Sequence, residues 1–374
     1  MLSIYNKMAY AYQEVLNKKR PAKIEYRCQD FNDTIIFNDN FNKKLYDFYH
    51  QMKNYKKIKF GPEFNHNIQL VNKISQITHL TLGYKFNQPI ELNSNLTHLT
   101  FGNDFNQPIE LNSNLTHLTF GCCFNQPLIL NDKLVHLTFG NRFNNPIKLN
   151  SKLTHLTFGE SFVKPLILNS NLTHLTLGYC FNQPLILNDK LVHLTFGKYF
   201  NHPIKLNFKL THLTFGTCFN QPLILNDKLV HLIIGDNFNQ PLILNSNLTH
   251  LSLGHCFNQS IEFNCKLIFL SINCYNININ IIENLPNSIN EIIISSYFFD
   301  LEINDLPNSV KRISLNVKDY SKKLNNLPES VEYLKLPKFY KHKIEKFPSK
   351  LKTIACCQHY KYLDSLSNYK VIKY

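Results

Sequence analysis

The sequence predicts a β-rich solenoid: a single coil repeated along an axis, with one long parallel sheet on one side and an extended back face on the other. Three observations predict it. The stretch Leu96–Asn114, LTHLTFGNDFNQPIELNSN, returns nineteen residues later as LTHLTFGCCFNQPLILNDK. The phenylalanine of its FN pair recurs at Phe86, Phe105, Phe124, Phe143, Phe162, Phe181, Phe200, Phe219, Phe238 and Phe257, a strict period of 19. All eleven glycines of the chain occupy one coil position, from Gly61 and Gly83 to Gly254. A short fixed period marks a stack in which each coil touches only its neighbours, so the array is one continuous core whatever its length.

Within a coil the elements follow from residue type. Leu96, Leu99 and Phe101 are apolar between polar Thr97, His98 and Thr100, which reads as a short strand with one buried face. The glycine that follows predicts a sharp corner at positive φ. Phe105 then turns inward. Asn106 and its equivalents, from Asn42 to Asn258 with Val163 the exception, read as buried amides that satisfy backbone groups of adjacent coils. A second asparagine ladder runs from Asn93 through Asn112 and Asn131 to Asn264. The return segment opens with proline, as at Pro108, and points Ile109 and Leu111 inward. Nineteen residues leave no space for a full helix there, so a narrow second sheet is expected on the back.

Taken in order, residues 1–31 form a helical N-terminal cap, because Tyr5, Met8, Ala9, Tyr12, Val15 and Leu16 recur at helical spacing. Such a cap covers the open end of a stack. Residues 32–76 hold irregular first coils, and the extra residues near Lys44–Tyr55 add a short helix to one of them. Residues 77–266 carry the regular coils. In residues 267–357 the pattern changes to Leu285-Pro286, Leu306-Pro307, Leu327-Pro328 and Phe347-Pro348, each preceding a strand. These coils have no glycine and are expected to be looser. Residues 358–374 form a C-terminal cap or tail. Counted from Ile35 there are about 17 strands, a rod of roughly 80 Å at about 4.8 Å per strand.

The net charge of +14 is not spread evenly. Residues 1–60 hold 12 basic and 6 acidic side chains, residues 286–374 hold 15 and 9, and the middle holds 13 and 11. A nearly neutral array argues against nucleic acid as the partner, since phosphate binding needs a concentrated basic surface. No apolar run is long enough to cross a membrane and no leader precedes the first coil, so a cytoplasmic protein is expected, in the host cytoplasm if viral. Cys123, Cys180, Cys218 and Cys256 stand two or three coils apart, about 10–14 Å, too far for disulfides.

The FNQP core, the LTHLTFG strand and the later Leu-Pro turns resemble FNIP repeats, a leucine-rich-repeat-like family of amoebae and of giant viruses that infect them. The resemblance covers about residues 33–356 and implies a right-handed, leucine-rich-repeat-like coil. In that family the repeats often follow an F-box, which implies a substrate-recognition adaptor of a ubiquitin ligase. The segment before the first coil has no F-box-like leucine–proline start, so that role stands on family analogy alone.

No enzyme motif is present: no P-loop, nucleophile elbow, paired catalytic carboxylates or dinucleotide fingerprint. No cofactor is expected. Ten of the sixteen histidines form one row, from His79 and His98 to His250, beside Thr81, Thr100 and Thr119. Without carboxylates at fixed offsets to orient them, they read as a solvated, weakly pH-sensitive face and not as a metal array. The reading that remains is a non-catalytic protein–protein interaction scaffold, with the adaptor and nucleic-acid roles as alternatives. Its candidate contact residues lie in the two positions after each glycine, which vary most from coil to coil: Tyr84, Arg142, Tyr179, Lys198 and Tyr199. On the back face, Ile167, Ile186, Ile224 and Ile243 stand where other coils have Glu91, Glu110 or Lys148, and they are candidates for self-association.

Overall fold

Short apolar-polar alternation at a fixed spacing gives short strands in register, and the computed structural model shows them. It describes residues 33–275, 277–296, 299–303 and 305–374. The expected N-terminal helix lies outside the described residues. The chain divides into two compact units, residues 1–153 and 154–374.

In the first unit, β1 (Thr34–Ile36), β2 (Lys57–Lys59), β3 (His79–Thr81), β4 (His98–Thr100), β5 (His117–Thr119) and β6 (His136–Thr138) pair side by side, all parallel. Histidine lies opposite histidine, leucine opposite leucine and threonine opposite threonine. The insertion after β1 folds into a 3₁₀ turn, Leu45–Phe48, and a helical turn, Tyr49–Met52, which bury Leu45, Phe48 and Met52.

The second unit repeats the scheme. Its regular strands are β7 (His155–Thr157), β8 (His174–Thr176), β9 (His193–Thr195), β10 (His212–Thr214), β11 (His231–Ile233) and β12 (His250–Leu253). They are followed by β13 (Phe269–Ile272), β14 (Glu291–Ser296), β15 (Arg312–Val317), β16 (Tyr333–Lys335), β17 (Thr353–Cys356) and β18 (Lys370–Lys373). Each pairs in parallel with the next. The architecture is a leucine-rich-repeat-like parallel β-solenoid.

The core is a row of rings. Phe181, Phe200, Phe219 and Phe238 follow one another with centroids 5.9–6.3 Å apart and nearly parallel planes. A strand phenylalanine such as Phe196 slots in at 3.7 Å from Phe200. Each ring is fully buried, so truncating one to Ala removes about 3–5 kcal/mol of packing. In the last coils the row continues as Phe299, Tyr320, Tyr340 and Tyr360, spaced 5.8–6.3 Å. A buried hydroxyl needs a partner, and each finds one on the backbone of the coil before. Tyr320 donates to the Leu301 carbonyl at 2.9 Å, Tyr340 to Lys322 at 3.2 Å and Tyr360 to His342 at 2.7 Å. Burial pushes the Tyr340 phenol up to about 12.

Both asparagine ladders form. The Asn87 side-chain oxygen accepts from the Asn106 backbone N–H at 2.9 Å, and Asn106 accepts from Asn125 at 2.8 Å. These amides are half-buried or exposed, not buried as the sequence suggested. The other ladder lies deeper: the Asn131 amide donates to the Asn112 and Leu115 carbonyls at 2.7 and 2.9 Å.

Three expectations are corrected. No described glycine has positive φ. Instead, a Cβ at ten of the eleven would lie 1.7–2.2 Å from the backbone oxygen at the equivalent position of the preceding coil. The residue is glycine because the stacked corners touch main chain to main chain, leaving no volume for a methyl group. The back segments, such as Pro184–Leu187, are extended but form no second sheet among the described residues, and their backbones make no ladder with one another. Proline removes one donor in each coil, and no turn there sets a register. The glycine-free coils are also not looser. β14 and β15 have six residues each and pair along their whole length, because nothing forces the strand to end at the corner.

The contact reading predicts that Gly197→Ala and Gly197→Asn are equally damaging. Each should lower stability by at least about 1–3 kcal/mol in a urea melt, because the obstructing atom is a backbone carbonyl. A positive-φ corner would instead tolerate Asn better than Ala.

Candidate functional site

Three surfaces carry residues that the core does not use. The first is the outer face of the sheet. The histidine rings stack with centroids 4.0–4.3 Å apart in the first unit and 4.1–4.4 Å in the second. Where threonine precedes the histidine, its hydroxyl and the ring Nδ1 share a hydrogen bond of 2.7–2.9 Å, as in Thr97–His98, Thr173–His174 and Thr249–His250. Val192 takes that position before His193, whose Nδ1 has no hydrogen-bond partner among the described residues.

The face is therefore half-buried and stacked, not solvated as expected. Burial first, and neighbouring rings second, hold His98 and His212 down at about 4. His79, His174, His193 and His231 are lowered in the same direction, burial again the leading cause. Parallel rings aim their nitrogens in parallel, whereas a metal ion needs convergent ones. No group of three or more potential ligands gathers among the described residues.

The second surface is the corner after each glycine. Its backbone forms a ladder of its own: Asp104 N–H donates to the Tyr84 carbonyl at 2.9 Å, Tyr199 to Tyr179 at 3.0 Å and Cys218 to Lys198 at 2.8 Å. Main-chain atoms form this ladder whatever the side chains are, so the side chains are free to vary. In the second unit three of the five candidates meet. Lys198 Nζ donates to the Tyr179 hydroxyl at 2.9 Å and lies 5.2 and 5.5 Å from the Tyr179 and Tyr199 ring centres. The two rings stand edge to face, 5.0 Å apart at 84°. The Tyr179 hydrogen bond raises the Lys198 ammonium above its ordinary range. Tyr84 and Arg142, both exposed, belong to coils three apart in the first unit and do not come together. Arg142 stands beside Cys123, and Tyr84 lies next to Lys85, which pairs with Glu63 at 2.6 Å.

The third surface is the back. Ile167, Ile186, Ile224 and Ile243 are 84–90% exposed, each preceded at two residues by an exposed proline, with Lys205 in the middle of the row. The nine described cysteines are all free. No helix among the described residues is long and apolar enough to cross a membrane.

The family model described as FNIP Repeat matches residues 86–123 and 300–339. Those two segments are similar to FNIP repeats. Both matched segments run across a ring of the core row, Phe105 in one and Tyr320 in the other, so the FNIP repeat spans the regular and the glycine-free coils alike. Among solved structures, the chain resembles CroV588, described as a novel circular LRR protein, with a TM-score of 0.60 and 28% identity. That match covers 87% of this chain and 66% of the other, so the chain spans a little under two thirds of that protein's length. YopM from Yersinia enterocolitica WA-314 aligns with a TM-score of 0.43 and 15% identity, over 81% of this chain and 71% of its own. No curated protein matches the sequence.

The histidine stack has a signed consequence. Its folded-state values lie below the ordinary 6.5, so folding contributes full stability above about pH 6.5, and that contribution falls as the unfolded chain takes up protons. The loss should run from about pH 6.5 to about pH 4, where His98 and His212 also titrate. His212→Phe, which copies Phe269 at the equivalent position of β13, should flatten the slope of urea midpoint against pH in that window relative to the parent.

Proposed function

We propose that this chain is a non-catalytic protein-binding scaffold whose partner is read by the side chains of the corner. The observation that carries the reading is the exposed Tyr179–Lys198–Tyr199 cluster, seated on a backbone that the stack already satisfies. Tyrosine supplies large contact area at low conformational cost, and an ammonium held over two rings is positioned before any partner arrives. A leucine-rich-repeat-like solenoid offers such residues at a regular pitch along an extended surface, which suits protein partners. Tyr84 and Arg142 hold the corresponding corner positions within the first unit as separate contacts.

Alanine at Tyr179, Lys198 and Tyr199 should abolish recovery of the native partner in affinity purification while moving the melting temperature by no more than a degree or two. Alanine at Tyr84 and Arg142 should weaken recovery less, since neither belongs to a cluster. Undiminished recovery from the triple variant would place the contact elsewhere.

The isoleucine row is the expected self-contact. The exposed isoleucines form two apolar pairs, Ile167 with Ile186 and Ile224 with Ile243, on either side of Lys205, and such patches mark interaction sites. Changing Ile167, Ile186, Ile224 and Ile243 to Lys should shift the sedimenting species to the monomer, and an unchanged distribution in both proteins would show that the pairs make no self-contact.

A further inference from the structure

Where the glycines stop, the corner opens. Gly254 is the last of them, and the strands that follow continue past the point where the regular coils turn. The ends of β14 and β15, with the segments after β12, β13 and β16, surround a cleft of about 660 Å³. Buried Leu315 and Val317 and the exposed rings of Phe339 and Tyr374 line it, together with Lys318, Lys335 and Lys338. His255, Asn273, Ser295 and Asn316 add neutral polar groups. No aspartate or glutamate lines it.

What sets the three lysines together is that they line one cleft without a paired carboxylate. Arg312, Lys346 and Lys352 each pair with a glutamate, at 3.4, 3.2 and 2.7 Å. Lys318, Lys335 and Lys338 take part in no ion pair among the described residues. Two of them are held by rings instead: Lys335 Nζ lies 4.8 Å from the Tyr374 ring centre and Lys338 Nζ 5.5 Å from Phe339. Tyr374 is fixed in turn, its hydroxyl donating to the Leu336 carbonyl. The backbone N–H groups of Lys338 and Phe339 donate to Val317 and Lys318, both at 3.1 Å, which fixes this part of the lining.

We propose that this cleft binds a small organic polyanion of the nucleoside-polyphosphate class: phosphates on the three lysines, a flat apolar body on Phe339 and Tyr374. Three ammonium groups lining one cleft with no carboxylate paired to them offer a polyphosphate its counter-charge. Lysine is the residue suited to phosphate as a flexible point charge. The volume falls within the usual range for small-molecule sites, and apolar side chains with a few polar groups are their usual lining. An inorganic anion would use the lysines and leave the aromatic rings idle.

The test is calorimetric titration of the full chain with ATP, tripolyphosphate, adenosine and an oligoglutamate peptide at fixed ionic strength. ATP should bind at one site per chain, more tightly than the other three. Lys335→Ala and Lys338→Ala should each weaken it about tenfold or more, the loss of one charge-assisted contact. Phe339→Ala should weaken ATP and leave tripolyphosphate unchanged. The triple change of Lys190, Lys209 and Lys228 to Ala removes the same charge from the regular coils and should leave the affinity within about twofold. Absence of ATP binding, equal loss in that control, or tripolyphosphate or oligoglutamate binding as tightly as ATP would each overturn the proposal.

Discussion

The coils can stack only as closely as their corners allow, and the corners allow backbone contact. With the next coil's α-carbon resting on a carbonyl oxygen, the spacing is set by main-chain atoms. Everything that repeats with period 19 depends on it: the strand ladder, the corner ladder, the two asparagine ladders and the ring row. A hydrogen bond between adjacent coils tolerates only a few tenths of an ångström. One methyl group at the corner would therefore disturb all of these ladders locally, not only the glycine contact.

This explains why the chain needs two designs. The glycine coils end their strands after three or four residues and fill the core with phenylalanine. The coils from β14 on keep the strand running for up to six residues, and from Tyr320 the same row is filled with tyrosine, whose hydroxyls reach back to the preceding backbone. Cys274 marks the change: its Sγ donates to the Gly254 carbonyl at 3.2 Å, the position that the next glycine would have met. After it, tyrosine hydroxyls bonded to the preceding backbone take the place of the glycine contact.

Much of the fold was legible because period and polarity are sequence properties. The strand positions, the inward phenylalanines and both asparagine ladders follow from spacing alone. The role of glycine was not legible, since φ and close approach leave the same residue in the sequence and only the distance to the neighbouring carbonyl separates them. The meeting of Tyr179 and Lys198 could be read from their separation of 19, which places them on adjacent coils. The tyrosine row at Tyr320, Tyr340 and Tyr360 was present as a spacing of 20 but hidden by the louder Leu-Pro pattern. Of the lysine-lined cleft only the 20-residue spacing of Lys318 and Lys338 was periodic, because its walls come from five unlike coils and the end of the described chain.

The corner ladder separates what the coil needs from what it displays. Because Asp104, Tyr199 and Cys218 are held through their N–H groups, any side chain except proline can occupy those places without altering the stack. A duplicated or deleted coil thus moves a two-residue message along the edge as a cassette, leaving the frame intact. The surface can be rewritten one coil at a time, so recognition in such an array can change faster than the fold that carries it.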